Sequence, residues 1–108
     1  MCEMYFRLLL QSPFIVTIAF NVRPEQISRM RLIARALTTA SRAEDCCILY
    51  LFLESREKPN HFFLSMIWRD EEAFNRYGDI SLVRAFDSGI AKELLKGSYT
   101  NVAVARVK

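Results

Sequence analysis

The sequence predicts one α+β domain of ferredoxin-like order, β-α-β-β-α-β, in which a four-stranded antiparallel sheet carries helices on one face. Three observations predict it. A chain of 108 residues, 52% hydrophobic and 25% charged, is large enough for one core and too apolar to be disordered. Two segments have the apolar spacing of amphipathic helices, at 25–42 and 80–96. Four segments have the composition of strands, at 14–23, 46–54, 61–69 and 99–107.

The first strand is rich in β-branched and aromatic residues and stops at Pro24. Proline suits the first turn of a helix, and Glu25 favours the positive end of the helix dipole. The helix predicted from Glu25 to Arg42 has an apolar stripe, widened by Ile33. The stripe comprises Ile27, Met30, Ala34, Leu37 and Ser41.

The second and third strands form a predicted antiparallel hairpin, because only the short polar turn Arg56 to Asn60 separates them. Asp70 is predicted to cap a short helix that ends at Gly78. The last helix, Ile80 to Lys96, precedes Gly97, which stands where a C-terminal glycine cap belongs. Its predicted buried face comprises Val83, Phe86, Ile90 and Leu94.

The hairpin strands are apolar on both faces, whereas a sheet with one wet face alternates apolar and polar residues. Leu49, Leu51 and Leu53 lie opposite the face that carries Ile48, Tyr50 and Phe52. A second copy of the same face is the simplest cover for such a surface. The sequence therefore predicts a homodimer.

Location and domain limits follow from the termini and the cysteines. The chain has no apolar run near the roughly 20 residues that span a bilayer, and Met1 to Ser12 lacks the pattern of a signal peptide. Cys46 and Cys47 are adjacent in the sequence, which is too close for a usual disulfide. Together with Cys2 they do not have the spacing of a zinc site. We expect a cytoplasmic protein with no membrane contact, a domain at 14–108 and an N-terminal extension at 1–13.

The segment from Phe63 to Tyr77 (FLSMIWRDEEAFNRY) resembles the antibiotic biosynthesis monooxygenase family of small dimeric α/β-barrel proteins. Members tend to end the third strand in a tryptophan. A helix cap and an apolar pair follow it, and an aromatic residue or histidine stands nine residues after the tryptophan. The residues at these positions are Trp68, Asp70, Ala73, Phe74 and Tyr77.

The resemblance implies a quinol-like or polyphenolic substrate that is oxidised by O2 without a metal or another cofactor. An electron-rich phenolate gives an electron to oxygen itself, so the protein binds it, favours its deprotonation and excludes water. Two departures weaken this activity. Met66 stands where many relatives carry an acid, and Tyr77 where many carry histidine. The only histidine, His61, is misplaced for haem ligation, which argues against haem degradation.

The resemblance implies catalytic roles for Asn21, Trp68 and Tyr77, which would hydrogen-bond the reacting oxygen, position the ring and polarise a phenol. Each has a structural alternative: strand-end turn chemistry for Asn21, core packing for Trp68, and anchoring of the short helix for Tyr77. Thr17 competes with Asn21 as the first-strand residue of a substrate site. Phe74 and Phe86 line the substrate pocket or belong to the core.

Five arginines lie around the first helix, but the apolar third strand lacks the glycine-aromatic spacing of RNA-binding domains, so we expect no nucleic-acid partner. Arg84 and Asp87 share a helix turn and are expected to form a solvated pair. Two alternatives to the oxygenase remain open. One is a non-catalytic dimer that binds a small molecule, and the other is an isomerase of a small phosphorylated metabolite.

Overall fold

The computed structural model describes residues 13–97 in full and the backbone of 101–106. The strands are β1 (Phe14–Asn21), β2 (Cys47–Glu54), β3 (His61–Trp68) and β4 (Asn101–Arg106). The helices are α1 (Ile27–Arg42), α2 (Glu71–Tyr77), α3 (Ser81–Ala85) and α4 (Ala91–Leu94). The predicted extension at 1–13 lies outside the described residues except for Pro13, as do Cys2 and the outer ends of the predicted last strand.

The four strands form one sheet in the order β2-β3-β1-β4, and every neighbouring pair is antiparallel. This arrangement confirms the predicted ferredoxin-like α+β fold. Met66 of β3 lies opposite both Val16 of β1 and Tyr50 of β2, so these three residues share one face at the centre of the sheet. The register of β2 shifts between Cys47 and Leu49, close to the start of the strand.

The core lies between one face of the sheet and the helices. Along β1 burial alternates, with even-numbered residues buried and odd-numbered ones partly or fully exposed. The same alternation along β3 buries Phe62, Leu64, Met66 and Trp68. Helix α1 covers this face with the predicted stripe, of which Met30, Ala34, Leu37 and Ser41 are buried.

Three predicted boundaries are wrong by a few residues, for reasons of backbone hydrogen bonding. Strand β1 ends at Asn21, because the Val22 amide donates to the Asn60 carbonyl at 2.7 Å and Val22 forms an isolated bridge with Leu95. Pro24–Gln26 is a 3-10 turn, so α1 starts at Ile27. Leu95 is extended, so α4 ends before it.

The short helix has the predicted cap, since the Asp70 carboxylate accepts a hydrogen bond from the Ala73 amide at 2.9 Å. The last helical stretch is interrupted by a π-helical turn, Phe86–Ile90, between α3 and α4. Gly97 follows with φ +72°, the left-handed conformation that glycine adopts most easily. Within the described part of the chain, no helix is both long enough and apolar enough to cross a membrane.

Candidate active site

A cavity of about 290 Å³ lies between the helix-covered face of the sheet and the helices. Most of its wall is apolar, and four phenylalanines contribute to it: Phe20, Phe52, Phe74 and Phe86. Among the described lining residues, the polar side chains are Asn75, Tyr77 and Asp87. Known ligand pockets run from about 300 to 1,000 Å³, so this cavity matches a ligand of one or two rings.

The phenylalanines form a fixed aromatic wall around the cavity. The Phe20 ring stacks on Phe52 at a centroid distance of 5.5 Å and makes a T-shaped contact with Phe86 at 6.0 Å. Phe20 and Phe52 come from two strands and Phe86 from the π-helical turn, so sheet and helices set the wall together. Rings packed against one another in this way give the cavity an apolar aromatic surface, which suits an aromatic ligand.

Tyr77 brings a hydroxyl group to the site from the last turn of α2. Its hydroxyl lies 3.0 Å from that of Tyr50, which projects from β2 on the helix-covered face. Both side chains are buried. Burial raises the pKa of Tyr50 more than the neighbouring Tyr77 and Ser41 hydroxyls lower it, so its hydroxyl stays protonated at neutral pH.

Trp68 supports Tyr77 and is not one of the described residues that line the cavity. Its ring contacts that of Tyr77 at a centroid distance of 5.0 Å, and its indole N–H donates to the Met66 sulfur at 3.2 Å. Met66 itself belongs to the cavity wall. The tryptophan therefore packs behind two wall residues, which is the core role considered for it.

Asp87 is exposed, as the expected solvated pair requires, and it also lines the cavity. It follows Phe86 in the π-helical turn, and such turns occur often at functional sites because they displace side chains from regular helical positions. Its expected partner Arg84 donates to the Asp79 carboxylate at 2.9 Å. Only the break in the regular helix would have indicated that Asp87 lines the cavity, and no pattern in the sequence predicts this break.

Thr17 and Asn21 lie on the opposite face of the sheet. Thr17 pairs with Ser65 of β3, and the Asn21 side chain accepts a hydrogen bond from the Asn60 amide at 2.7 Å. The Asn21 carbonyl also accepts from the Lys96 amide. These bonds are the strand-end chemistry given as its alternative role. The structure thus brings Phe74, Tyr77 and Phe86 together and leaves Thr17 and Asn21 away from the cavity.

Three arginines of α1 contact acidic groups or backbone within the chain. Arg29 pairs with Glu93 at 2.8 Å and Arg31 with Glu54 at 2.7 Å. Arg42 donates two hydrogen bonds to the Tyr50 carbonyl, at 3.1 and 2.7 Å. In the described segments no group of three or more histidine, cysteine or acidic side chains is arranged to hold a metal ion.

Residues 13–87 match the sequence profile of the antibiotic biosynthesis monooxygenase family, which covers more than half of the chain. The chain belongs to this family. The match contains β1 through the start of the π-helical turn, and with it every described residue that lines the cavity. It therefore includes both the sheet and the candidate site. Among proteins of curated function, none matches the sequence significantly.

Solved structures share the fold of this family member. A protein from Methanosarcina mazei superposes with a TM-score of 0.83 at 19% identity, over 96% of this chain and 99% of the other. A protein from Shewanella oneidensis gives 0.82 at 18% identity, over 90% and 92%. A protein from Mycobacterium tuberculosis gives 0.75 at 27% identity, over 90% and 94%. These similarities establish the fold of the chain.

Proposed function

We propose that the protein is a cofactor-independent monooxygenase that oxidises a small quinol-like or polyphenolic aromatic with O2. The observation that carries the proposal is the small aromatic-walled cavity, which has one carboxylate and one phenol among its described lining residues. Membership of the family supports the reaction class. The activity is assigned to the domain predicted at 14–108.

The proposed chemistry needs only groups in the cavity wall. Asp87 accepts the phenolic proton of the substrate, and Tyr77 donates a hydrogen bond to the resulting phenolate oxygen. The phenolate passes an electron to O2, and the two radicals recombine inside the apolar wall, away from water. One oxygen atom enters the substrate and the other leaves as water, and the substrate supplies all four electrons. Aromatic packing by Phe20 and Phe86 holds the ring.

Oxygen uptake by purified protein tests this proposal, with naphthoquinols and hydroxyanthrones as substrates and autoxidation subtracted. We expect uptake that depends on folded protein and falls at least tenfold in Asp87→Asn and in Tyr77→Phe. Asp79→Asn is the matched control, because Asp79 is an exposed carboxylate two residues before α3 and is not among the described residues that line the cavity. Uptake that is equal in Asp87→Asn and Asp79→Asn would contradict the role of Asp87.

A non-catalytic dimer that binds a small aromatic is the second candidate. Met66 favours it, because this fully buried thioether occupies the place where many relatives carry an acid, and it leaves most of the wall without acid-base chemistry. Thermal stabilisation by the same quinols, without oxygen uptake, would identify this function. No arginine is among the described lining residues, so no observation favours the phosphorylated-metabolite isomerase.

The proposed functional unit is a homodimer formed through the sheet face that the helices leave uncovered. On this face Leu51, Leu53 and Phe63 are 36%, 51% and 40% exposed. Leu53 and Phe63 are direct cross-strand partners, so their exposed surfaces are contiguous. Covering them with the same face of a second copy removes this apolar area from water. A cytoplasmic location is also proposed, supported by the free thiols of Cys46 and Cys47.

A further inference from the structure

The Tyr50 hydroxyl is a hydrogen-bond partner of the Tyr77 hydroxyl, although Tyr50 is outside the described cavity lining. Tyr50 is 1% exposed, and its hydroxyl lies 3.0 Å from that of Tyr77. A buried phenol hydroxyl needs a hydrogen-bond partner, since an unpaired polar group in the core is costly. The pair therefore links a residue of the cavity wall to a residue that the ligand does not touch.

The position of Tyr50 is set by the sheet and by Arg42. Tyr50 pairs with Met66 in the β2–β3 ladder, and the Arg42 guanidinium donates two hydrogen bonds to the Tyr50 carbonyl oxygen. On the other side of the pair, the Trp68 ring packs against Tyr77 at 5.0 Å. Both phenols are thus held by groups outside the cavity, so their relative position does not depend on a bound ligand.

We propose that Tyr50 is a positioning residue, whose hydroxyl donates to the Tyr77 oxygen and so directs the Tyr77 hydroxyl toward the phenolic oxygen of a bound ligand. The inference deepens the proposed function and rests on its aromatic ligand, but it does not require turnover. The proton of Tyr77 moves only by rotation about the C–O bond, and no covalent bond changes.

Two physical effects follow from this arrangement. A chain of hydrogen bonds polarises its members, so a tyrosine that accepts a hydrogen bond is a better donor to the next group. A donor aimed at a phenolate stabilises the ionised form and lowers the pKa of the ligand. Because burial raises the pKa of Tyr50, this residue remains a donor through neutral pH. The pair therefore helps the protein to ionise a bound phenol.

A bound chromophoric phenol provides the test, because its ionisation is read from absorbance without any turnover. The probe is 4-nitrophenol, a single-ring ligand whose phenolate absorbs at longer wavelength than the phenol. We expect the wild-type protein to lower the pKa of the bound probe. Tyr50→Phe should raise that pKa by about half a unit to one unit, while affinity for the neutral probe changes less than about twofold.

A double-mutant cycle separates a positioning role from a general structural one. Tyr77→Phe should raise the bound pKa at least as much as Tyr50→Phe, and the double variant should match Tyr77→Phe alone, because Tyr50 acts through Tyr77. Arg42→Met is a second, surface variant that loosens Tyr50, and it should shift the pKa in the same direction by less. Thr38→Val is the control, since it removes a half-buried hydroxyl that bonds to the Ala34 carbonyl outside the cavity.

Three outcomes would overturn the inference. They are an unchanged bound pKa in Tyr50→Phe, additive shifts in the double variant, and no binding of the probe to the wild-type protein. If Tyr50→Phe does not fold, the Arg42→Met shift decides the question. Failure of the proposed function is seen separately, as absence of oxygen uptake. A protein that binds phenols and never oxidises them can still meet every expectation for Tyr50.

Discussion

Replacing Phe63 with alanine should weaken the proposed dimer by about three orders of magnitude. An aromatic side chain buries roughly 150–250 Å², so the 40% of Phe63 that is exposed corresponds to about 80 Å². At about 25 cal/mol per Å², its burial contributes about 2 kcal/mol in each protomer. A two-fold interface loses the contact twice, so the cost is about 4 kcal/mol, and each 1.4 kcal/mol is a factor of about ten in the dissociation constant.

Sedimentation equilibrium from nanomolar to micromolar concentration measures this change. Leu32→Ala is the matched control, because Leu32 is 64% exposed on α1, away from the outer face of the sheet. Leu32 has a larger exposed fraction than Phe63, and Leu32→Ala should leave self-association unchanged. A monomeric wild-type protein at micromolar concentration would refute the argument. Equal association of Phe63→Ala and Leu32→Ala would also refute it.

Three further predictions concern stability and pH. Trp68→Ala should lower the free energy of unfolding by about 3–5 kcal/mol in urea titrations, because this buried ring leaves a cavity; a cost below 1 kcal/mol would contradict its packing role. Burial raises the pKa of Asp70, but hydrogen bonds from Ala73 and Arg69 lower it by more, so the net pKa is below the usual range. The free energy of unfolding of the wild-type protein should therefore decrease as the pH drops below about 4, because protonation of Asp70 removes the stabilisation that its charged form provides. The free energy of unfolding of Asp70→Asn should change little over the same pH range. Burial raises the pKa of Cys47 to about 11, so the folded thiol should react with iodoacetamide at pH 8 more slowly than the urea-unfolded thiol. The free energy of unfolding should decrease as the pH rises through that pKa. A fast reaction of the folded protein that is absent in Cys47→Ser would contradict the raised pKa of Cys47.

The element order was predictable because each element has a strong local pattern. The helical stripe from Met30 to Ser41 and the strand alternation around Met66 both describe buried faces that the structure retains. Boundaries depended on contacts between distant segments. Val22 leaves the strand because it bonds to Asn60 and bridges Leu95, and no neighbouring residue indicates either partner.

The site was predictable only where a motif or the alternation of a strand carries the information. Tyr77 and Phe74 reach the cavity because the Asp70 cap sets the phase of α2. Alternation along β1 places Asn21 and Phe20 on opposite faces of the sheet, so Asn21 is directed away from the cavity that Phe20 lines. Tyr50 resembles any other residue of an apolar strand, and its importance depends on a hydroxyl contact with a helix 27 residues away.

Incorporation of oxygen from ¹⁸O2 into the product of a naphthoquinol or hydroxyanthrone, under a single turnover with purified protein, tests the central claim most directly. The account predicts one labelled oxygen atom per product molecule by mass spectrometry, and none when the label is supplied as H2¹⁸O. It also predicts at least tenfold less labelled product in Asp87→Asn over the same reaction time, and an unchanged amount in Asp79→Asn. Product without label, or no product with any substrate that the cavity binds, would contradict a monooxygenase.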